Sequence, residues 1–223
     1  VTLIALTAVD YDAAWEVSKQ RWKYNHGFAA DDLAEFAGRN CYQSWDNPAN
    51  RTNKEYIGNI LDKMHFSVLE HACVTFHIAG ISRSLSHEFV RHRHFSYSQL
   101  SQRYVDEKDS PIILPPAIAK LGDPDLMLLY DDSEKQARNA YPLAVEILME
   151  RYGYNRKDAR SAARALFPNM WSTQIVVTGN HRSWREFLDK RLSPAADDEI
   201  RELAQIIVKQ LKKVAPSTYQ DMA

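Results

Sequence analysis

Hydrophobic positions change their spacing several times along the chain, and the changes mark its elements. The opening VTLIALTAVDYDAAW has no basic leader before its apolar stretch and soon turns acidic, so it reads as a first strand rather than a signal peptide. Apolar spacings compatible with helices follow over 11–24, 31–45 and 53–64, with Asn53 placed to cap the third. The period then drops to two. In HACVTFHIAG (71–80), Ala72, Val74, Phe76 and Ile78 alternate with Cys73, Thr75 and His77, the pattern of a strand with one covered face. From Gly80 onward Ile81, Leu85 and Phe89 recur every four residues, which predicts a helix.

Residues 92–122 carry Ser, Gln, adjacent Pro115 and Pro116 and little helical period, and read as a long irregular connection. Helices are predicted over 124–152 and, Ala-rich, from Asn155 to Leu166, the latter stopped by Pro168. Thr173 to Thr178 is a short apolar strand, Asn180 can cap a further helix, and an amphipathic helix spans about 196–214. No repeat or linker interrupts the 223 residues. The expected fold is α/β (α+β): a single domain over 1–223 with a small mixed or antiparallel sheet flanked by helices.

Composition narrows the function classes. No apolar run approaches the ~20 residues needed to span a bilayer, so a cytoplasmic location and no membrane role are expected. The formal net charge of -1 gives no global reason to expect nucleic acid. Cys41 and Cys73 cannot build a disulfide framework and read as buried small hydrophobes. None of the seven glycines is spaced as a dinucleotide fingerprint, which argues against a Rossmann domain.

Polar chemistry concentrates in SRSLSHEFVRHRHFSYSQLSQRY (82–104), which holds four arginines, three histidines and six serines but one acid, Glu88. A solvated helix usually mixes both signs, so the imbalance points to an anionic ligand as an alternative to a plain basic patch. The helical period turns Glu88 and Arg91 away from Leu85 and Phe89, toward solvent or a cleft. His87, His92 and His94 could suggest a metal, but Arg91 and Arg93 beside them oppose a cation, and no metal is expected. Arginines interleaved with Phe95, Tyr97 and Tyr104 could also hold RNA, which the net charge disfavours. Arg191 stands apart: it continues the apolar stripe of Trp184, Phe187 and Leu188, so it needs a partner, either a carboxylate such as Glu199 or Asp189 or a ligand.

RHRHFSYSQLS, in which Arg91-His92-Arg93 is followed after seven residues by Ser101, closely resembles the signature of the flavin-dependent thymidylate synthases. FAGRNCYQSW (36–45), HFSVLEHACVTFHI (65–78), ARALFPN (163–169) and VVTGNHRSWREF (176–187) are similar to family segments in the same order. The resemblance implies methylation of dUMP to dTMP with FAD as cofactor, 5,10-methylenetetrahydrofolate as one-carbon donor and NADPH as reductant. By the same carry-over dUMP would meet Glu88, Arg91, Gln99, Leu100, Ser101, Gln102, Arg103, Arg164 and Arg191, and FAD would meet Ser67, Glu70, Arg91, His92, Arg93, Asn180, His181 and Arg182. Asn180 has a competing structural role as a helix cap. Glu186 departs from the family, whose members more often carry Asn or His there.

The resemblance assigns the chemistry to Arg191, stabilising the uracil imide anion, and to Ser101, binding and polarising dUMP. A covalent role for Ser101 would need an adjacent base, and the sequence offers no clear triad: His94, seven residues earlier, could serve only if the loop folded back. It also implies a homotetramer with active sites shared between subunits. The alternative from another class is a non-catalytic binder of nucleotides or RNA that uses the same arginines.

Overall fold

The protein is described by a computed structural model over residues 1–24, 27–46 and 51–222. Its chain order is β1 (Thr2–Leu6), α1 (Tyr11–Val17), α2 (Ala29–Tyr42), α3 (Asn53–Asp62), a 3-10 turn (Phe66–Glu70), β2 (Cys73–Ser82), α4 (Arg83–Phe89) and β3 (Ser96–Gln99). Then come α5 (Pro116–Leu121), α6 (Pro124–Glu150), α7 (Arg156–Ala163), a 3-10 turn (Arg164–Leu166), β4 (Ser172–Asn180), α8 (His181–Arg191) and α9 (Asp198–Val214). The four strands form one sheet in the order β1-β2-β4-β3. Every neighbouring pair is antiparallel, as the expected small sheet allowed.

The period-two pattern decides which face is covered. Val74, Phe76 and Ile78 of β2 lie opposite Gly179, Val177 and Ile175 of β4. They enter a buried cluster with Trp184, Phe187 and Leu188 of α8 and Ile200, Leu203, Ile207 and Leu211 of α9. The other face carries the polar pairs Thr75–Thr178 and His77–Gln174, each joined by a side-chain hydrogen bond. A second apolar cluster joins Ala34 of α2, Tyr56, Ile57, Ile60 and Leu61 of α3, and Val68 and Leu69 of the first 3-10 turn.

Several expectations are corrected. The first helix stops at Val17 because Lys19 and Gln20 take positive φ, 56° and 63°. Thr52, not Asn53, caps α3, through a capping box with Glu55. Asn53 instead donates to the Asp31 carbonyl and the Glu35 carboxylate. The span from Gly80 is strand as far as Ser82, which caps α4. The segment 92–122 is not wholly irregular. It holds β3, whose polar sequence SYSQ gives little apolar alternation, and α5, for which Pro116 at the first helical position is a start signal rather than a breaker. Both cysteines are exposed: Cys73 lies on the open face of the sheet, opposite Asn180. Among the described residues no helix is long and apolar enough to cross a membrane.

One glycine controls how the segment between α4 and β3 seats on the sheet. A Cβ on Gly179 would lie 2.4 Å from two ring carbons of Phe95. Phe95 in turn packs edge-on against Trp184 with ring centroids 4.5 Å apart. Gly179→Ala should therefore displace Phe95 and lower stability by about 1–3 kcal/mol, the usual cost of overpacking. Thermal melts of Gly179→Ala, Phe95→Leu and the double variant would show a smaller penalty for the glycine change when Phe95 is already shortened. An unchanged melting temperature in Gly179→Ala would remove this contact from the account.

Candidate functional site

Each of the two central strands runs directly into a helix, and those helices carry the polar residues. Ser82 ends β2 and accepts from Leu85 N to start α4, while Glu199 of α9 accepts from both the backbone and the hydroxyl of Ser82. Asn180 ends β4 and starts α8 by accepting from Ser183 N and Ser183 Oγ. The helices meet through Phe89 and Phe187, whose ring centroids are 4.9 Å apart. That contact brings Glu88 to Arg191.

Arg191 Nη1 donates to Glu88 Oε1, and Arg191 Nε donates to His92 Nε2 at 3.0 Å. Its carboxylate partner is thus Glu88, and neither Asp189 nor Glu199, which is engaged with Ser82. Nη2 of Arg191 makes no side-chain hydrogen bond to a described residue, so the outer edge of a fixed guanidinium is left for a ligand. Burial and the adjacent Arg191 and Lys190 charges push His92 down to about 4 from its ordinary 6.5. An imidazole that accepts from an arginine is neutral, and geometry and electrostatics agree on that state.

A cavity of about 300 Å³ opens beside this pair, lined by Arg91, His92, Arg93, His94, Phe95, Ser183, Glu186, Lys190 and Arg191. Arg91 lies past the end of α4, in a turn rather than on the expected helical face. The Tyr97 hydroxyl fixes that turn, 2.8 Å from both the Phe89 and the His92 carbonyls. Arg91 and Arg93 are exposed and make no ion pair among the described residues. Glu186 is tied to Lys190 Nζ at 2.6 Å, and this bond holds its carboxyl below the usual range. The acid that departs from the family is therefore partly neutralised by a neighbour on its own helix.

The remaining candidates for dUMP lie elsewhere. Gln99, Gln102 and Arg164 line a separate cavity of about 670 Å³ with Arg83, Ser86 and His87. Gln99 Nε2 donates to Ser86 Oγ. Leu100 is fixed at both backbone atoms, its N–H on the Gln174 carbonyl and its carbonyl on Arg83 Nη2. Ser101 opens a turn in which its carbonyl accepts from Tyr104 N and Val105 N. Arg103 lies over the Tyr104 ring, and its Nε is buried with no partner. The strand β3 lies between this group and the first, and its four residues at ~3.3 Å each separate Phe95 from Leu100 by well over 10 Å.

A third group sits where α8 meets the first 3-10 turn. Arg182 pairs with Glu70, and Ser67 is exposed on the same turn. The ring of His181 is 1% exposed and turns inward, with Nδ1 2.8 Å from the Tyr219 hydroxyl. A strand-to-helix junction alternates outward and inward positions, and Asn180 and Arg182 take the outward ones. Among the described residues no three His, Cys, Asp or Glu are grouped to hold a metal ion. Sequence reasoning missed Arg83 and Lys190, whose only signal was their place in the positive segments.

Residues 24–217 match the thymidylate synthase complementing protein family. The chain is 51% identical over 197 residues to a flavin-dependent thymidylate synthase of Mycolicibacterium vanbaalenii, covering 85% of this chain and 78% of that protein. The one from Mycobacterium tuberculosis H37Rv matches to the same extent, 51% over 197 residues with 85% and 78% covered. Among solved structures, thymidylate synthase X from Helicobacter pylori with FAD and dUMP superposes with a TM-score of 0.63 at 26% identity, covering 87% of this chain and 93% of that one.

The state of His92 can be measured directly. Its ring protons should titrate by NMR near 4, and Arg191→Ala should move that value upward by removing the larger of the two positive neighbours. The folded value lies below the unfolded value of 6.5, so as pH falls the unfolded chain takes up this proton first. The stability that His92 contributes is complete above about 6.5 and drains away between there and about 4. Titration of His92 in the ordinary range would mean that the Arg191 contact does not persist in solution.

Proposed function

The chain belongs to the flavin-dependent thymidylate synthase family, and on that premise we propose that it methylates dUMP to dTMP with FAD, 5,10-methylenetetrahydrofolate and NADPH. The carrying observation is Arg191, held by Glu88 and His92 with an edge left open beside unpaired Arg91 and Arg93. Two free guanidinium groups next to the Phe95 and histidine rings suit a phosphorylated, planar cofactor. Arg91, His92 and Arg93, with Asn180, Arg182, Glu70 and Ser67, are the residues that would hold FAD. Held there, the flavin, once reduced by NADPH, would supply the hydride that completes the new methyl group.

The chain's own share is positioning and electrostatics. Arg191 offers a fixed positive charge to the uracil imide as it loses its proton. His92 is neutral, so it accepts from Arg191 and keeps that guanidinium aligned without adding a charge that would compete with it. Ser101 with Gln99, Leu100, Gln102, Arg103 and Arg164 receives the rest of the nucleotide. Their backbone turn and free arginines favour a phosphate. Ser101 makes no side-chain hydrogen bond to a base among the described residues, which supports binding over covalent attack.

The site also needs a second copy of the chain. Arg191 belongs to the group before β3 and Ser101 to the group after it, and the two groups line separate cavities. A homotetramer in which one subunit contributes the Arg191 group and another the Ser101 turn resolves this separation.

The purified chain should be yellow with flavin absorbance and should form dTMP from dUMP, methylenetetrahydrofolate and NADPH. Changing Cys41 and Cys73 together to Ser should keep turnover within about tenfold, about 1.4 kcal/mol in barrier, since no thiol is assigned to the chemistry. A protein that stays colourless after FAD addition would instead support a non-catalytic binder, and an inactive, flavin-loaded double variant would overturn the thiol-free scheme.

Sharing of the site has its own test. Arg191→Ala and Arg164→Ala should each be nearly inactive alone, whereas co-refolded mixtures should regain roughly a quarter of wild-type activity, because some sites then draw both intact halves. Absence of any recovery in demonstrably mixed oligomers would place both residues in the site of one chain.

A further inference from the structure

We infer that the ion pair of the half-buried Arg83 with the buried Glu107 is a positioning clamp for the turn from Ser101 to Arg103, and that it sets how well the chain discriminates a 5′-phosphorylated nucleotide from its nucleoside. The inference rests on the reading of that turn as part of the dUMP site and adds two residues that this reading does not assign.

Glu107 is 1% exposed, a rare position for a carboxylate. Both of its oxygens lie 3.2 Å from Arg83 Nη2. The same nitrogen donates to the Leu100 carbonyl at 3.0 Å. One guanidinium therefore ties the residue before the turn to the carboxylate beyond it. The frame around the pair is rigid: Trp171 Nε1 donates to the Glu107 carbonyl at 2.8 Å, and Arg83 N donates to the Trp171 carbonyl. Arg160 braces the intervening chain, with Nη1 on the Tyr104 carbonyl and Nη2 on Asp106.

The turn itself has no such bracing. Ser101, Gln102 and Arg103 make no side-chain hydrogen bond to a described residue, and Arg103 Nε is buried without a partner. A segment whose ends are held by one ion pair and whose middle presents unpaired donors is prepared for an anion rather than stabilised for its own sake. Glu107 is too deeply buried to touch that anion, so any effect it has on binding passes through Arg83 and the turn.

Glu107→Gln keeps the shape of the side chain and removes its charge, which separates two roles for Arg83. If Arg83 serves as the clamp, loosening it should misplace the turn. Affinity of the FAD-loaded protein for dUMP, measured by titration calorimetry, should then fall roughly tenfold, about 1.4 kcal/mol. Affinity for deoxyuridine, which lacks the phosphate, should stay the same, so the ratio of the two affinities shrinks. Arg83→Lys, which retains charge on a shorter side chain whose ammonium does not reach the position of Nη2, should shrink the ratio as well.

Tighter dUMP binding in Glu107→Gln would mean that a released Arg83 takes the phosphate itself, and would overturn the clamp. So would equal losses for nucleotide and nucleoside, the mark of a general structural defect, or an unchanged ratio in both variants. Wild-type protein that binds neither compound would instead defeat the underlying reading of the turn.

Discussion

The antiparallel pairing of β2 with β4 is the constraint on which the rest of the molecule depends. Its register sets Val74, Phe76 and Ile78 against Gly179, Val177 and Ile175, and so fixes which face of the sheet takes α8 and α9. The strands run in opposite directions and each passes without a loop into a capped helix, so α4 and α8 start at opposite ends of the sheet. Phe89 and Phe187 then meet over its middle, and Glu88, His92 and Arg191 gather as a consequence of that packing. A one-residue slip between the strands would turn the core face outward and separate them.

Elements with a covered face and a steady period were legible. β2 alternates cleanly and is bounded by change on both sides, while α9 repeats its apolar residues along its whole length. β3 was hidden because a four-residue edge strand with one aromatic can satisfy its pairing without an apolar stripe. The cysteines misled for a related reason: residue type favours burial for Cys, but Cys73 falls on the open parity of β2, and parity decides. Its companions Thr75 and His77 already showed which parity that was.

At the site, residue types were readable and partners were not. The excess of arginine around residues 82–104 pointed to an anionic ligand or a plain basic patch, and Arg191 to the need for a partner. Which carboxylate it meets depends on the crossing of α4 and α8, a long-range fact that no local spacing encodes. Whether the His181 ring faces solvent or core was not legible either, since a single residue of rotation at a helix start moves a ring from one to the other.

Why the residues proposed for the nucleotide split into two groups follows from how β3 is made. A strand that pairs only with β4 is extended by geometry, and its two ends cannot curl toward each other without losing hydrogen bonds. Residues before it stay with α8, and residues after it stay with Arg83 and Glu107. Shortening the strand to bring them together would unseat Phe95 from Trp184 or Leu100 from Gln174. The proposed association between chains would join the two groups without deforming either, so that each half is held rigidly by its own framework. That rigidity is what electrostatic activation of a poor nucleophile requires, because donors that must reorganise during the reaction lose most of their effect.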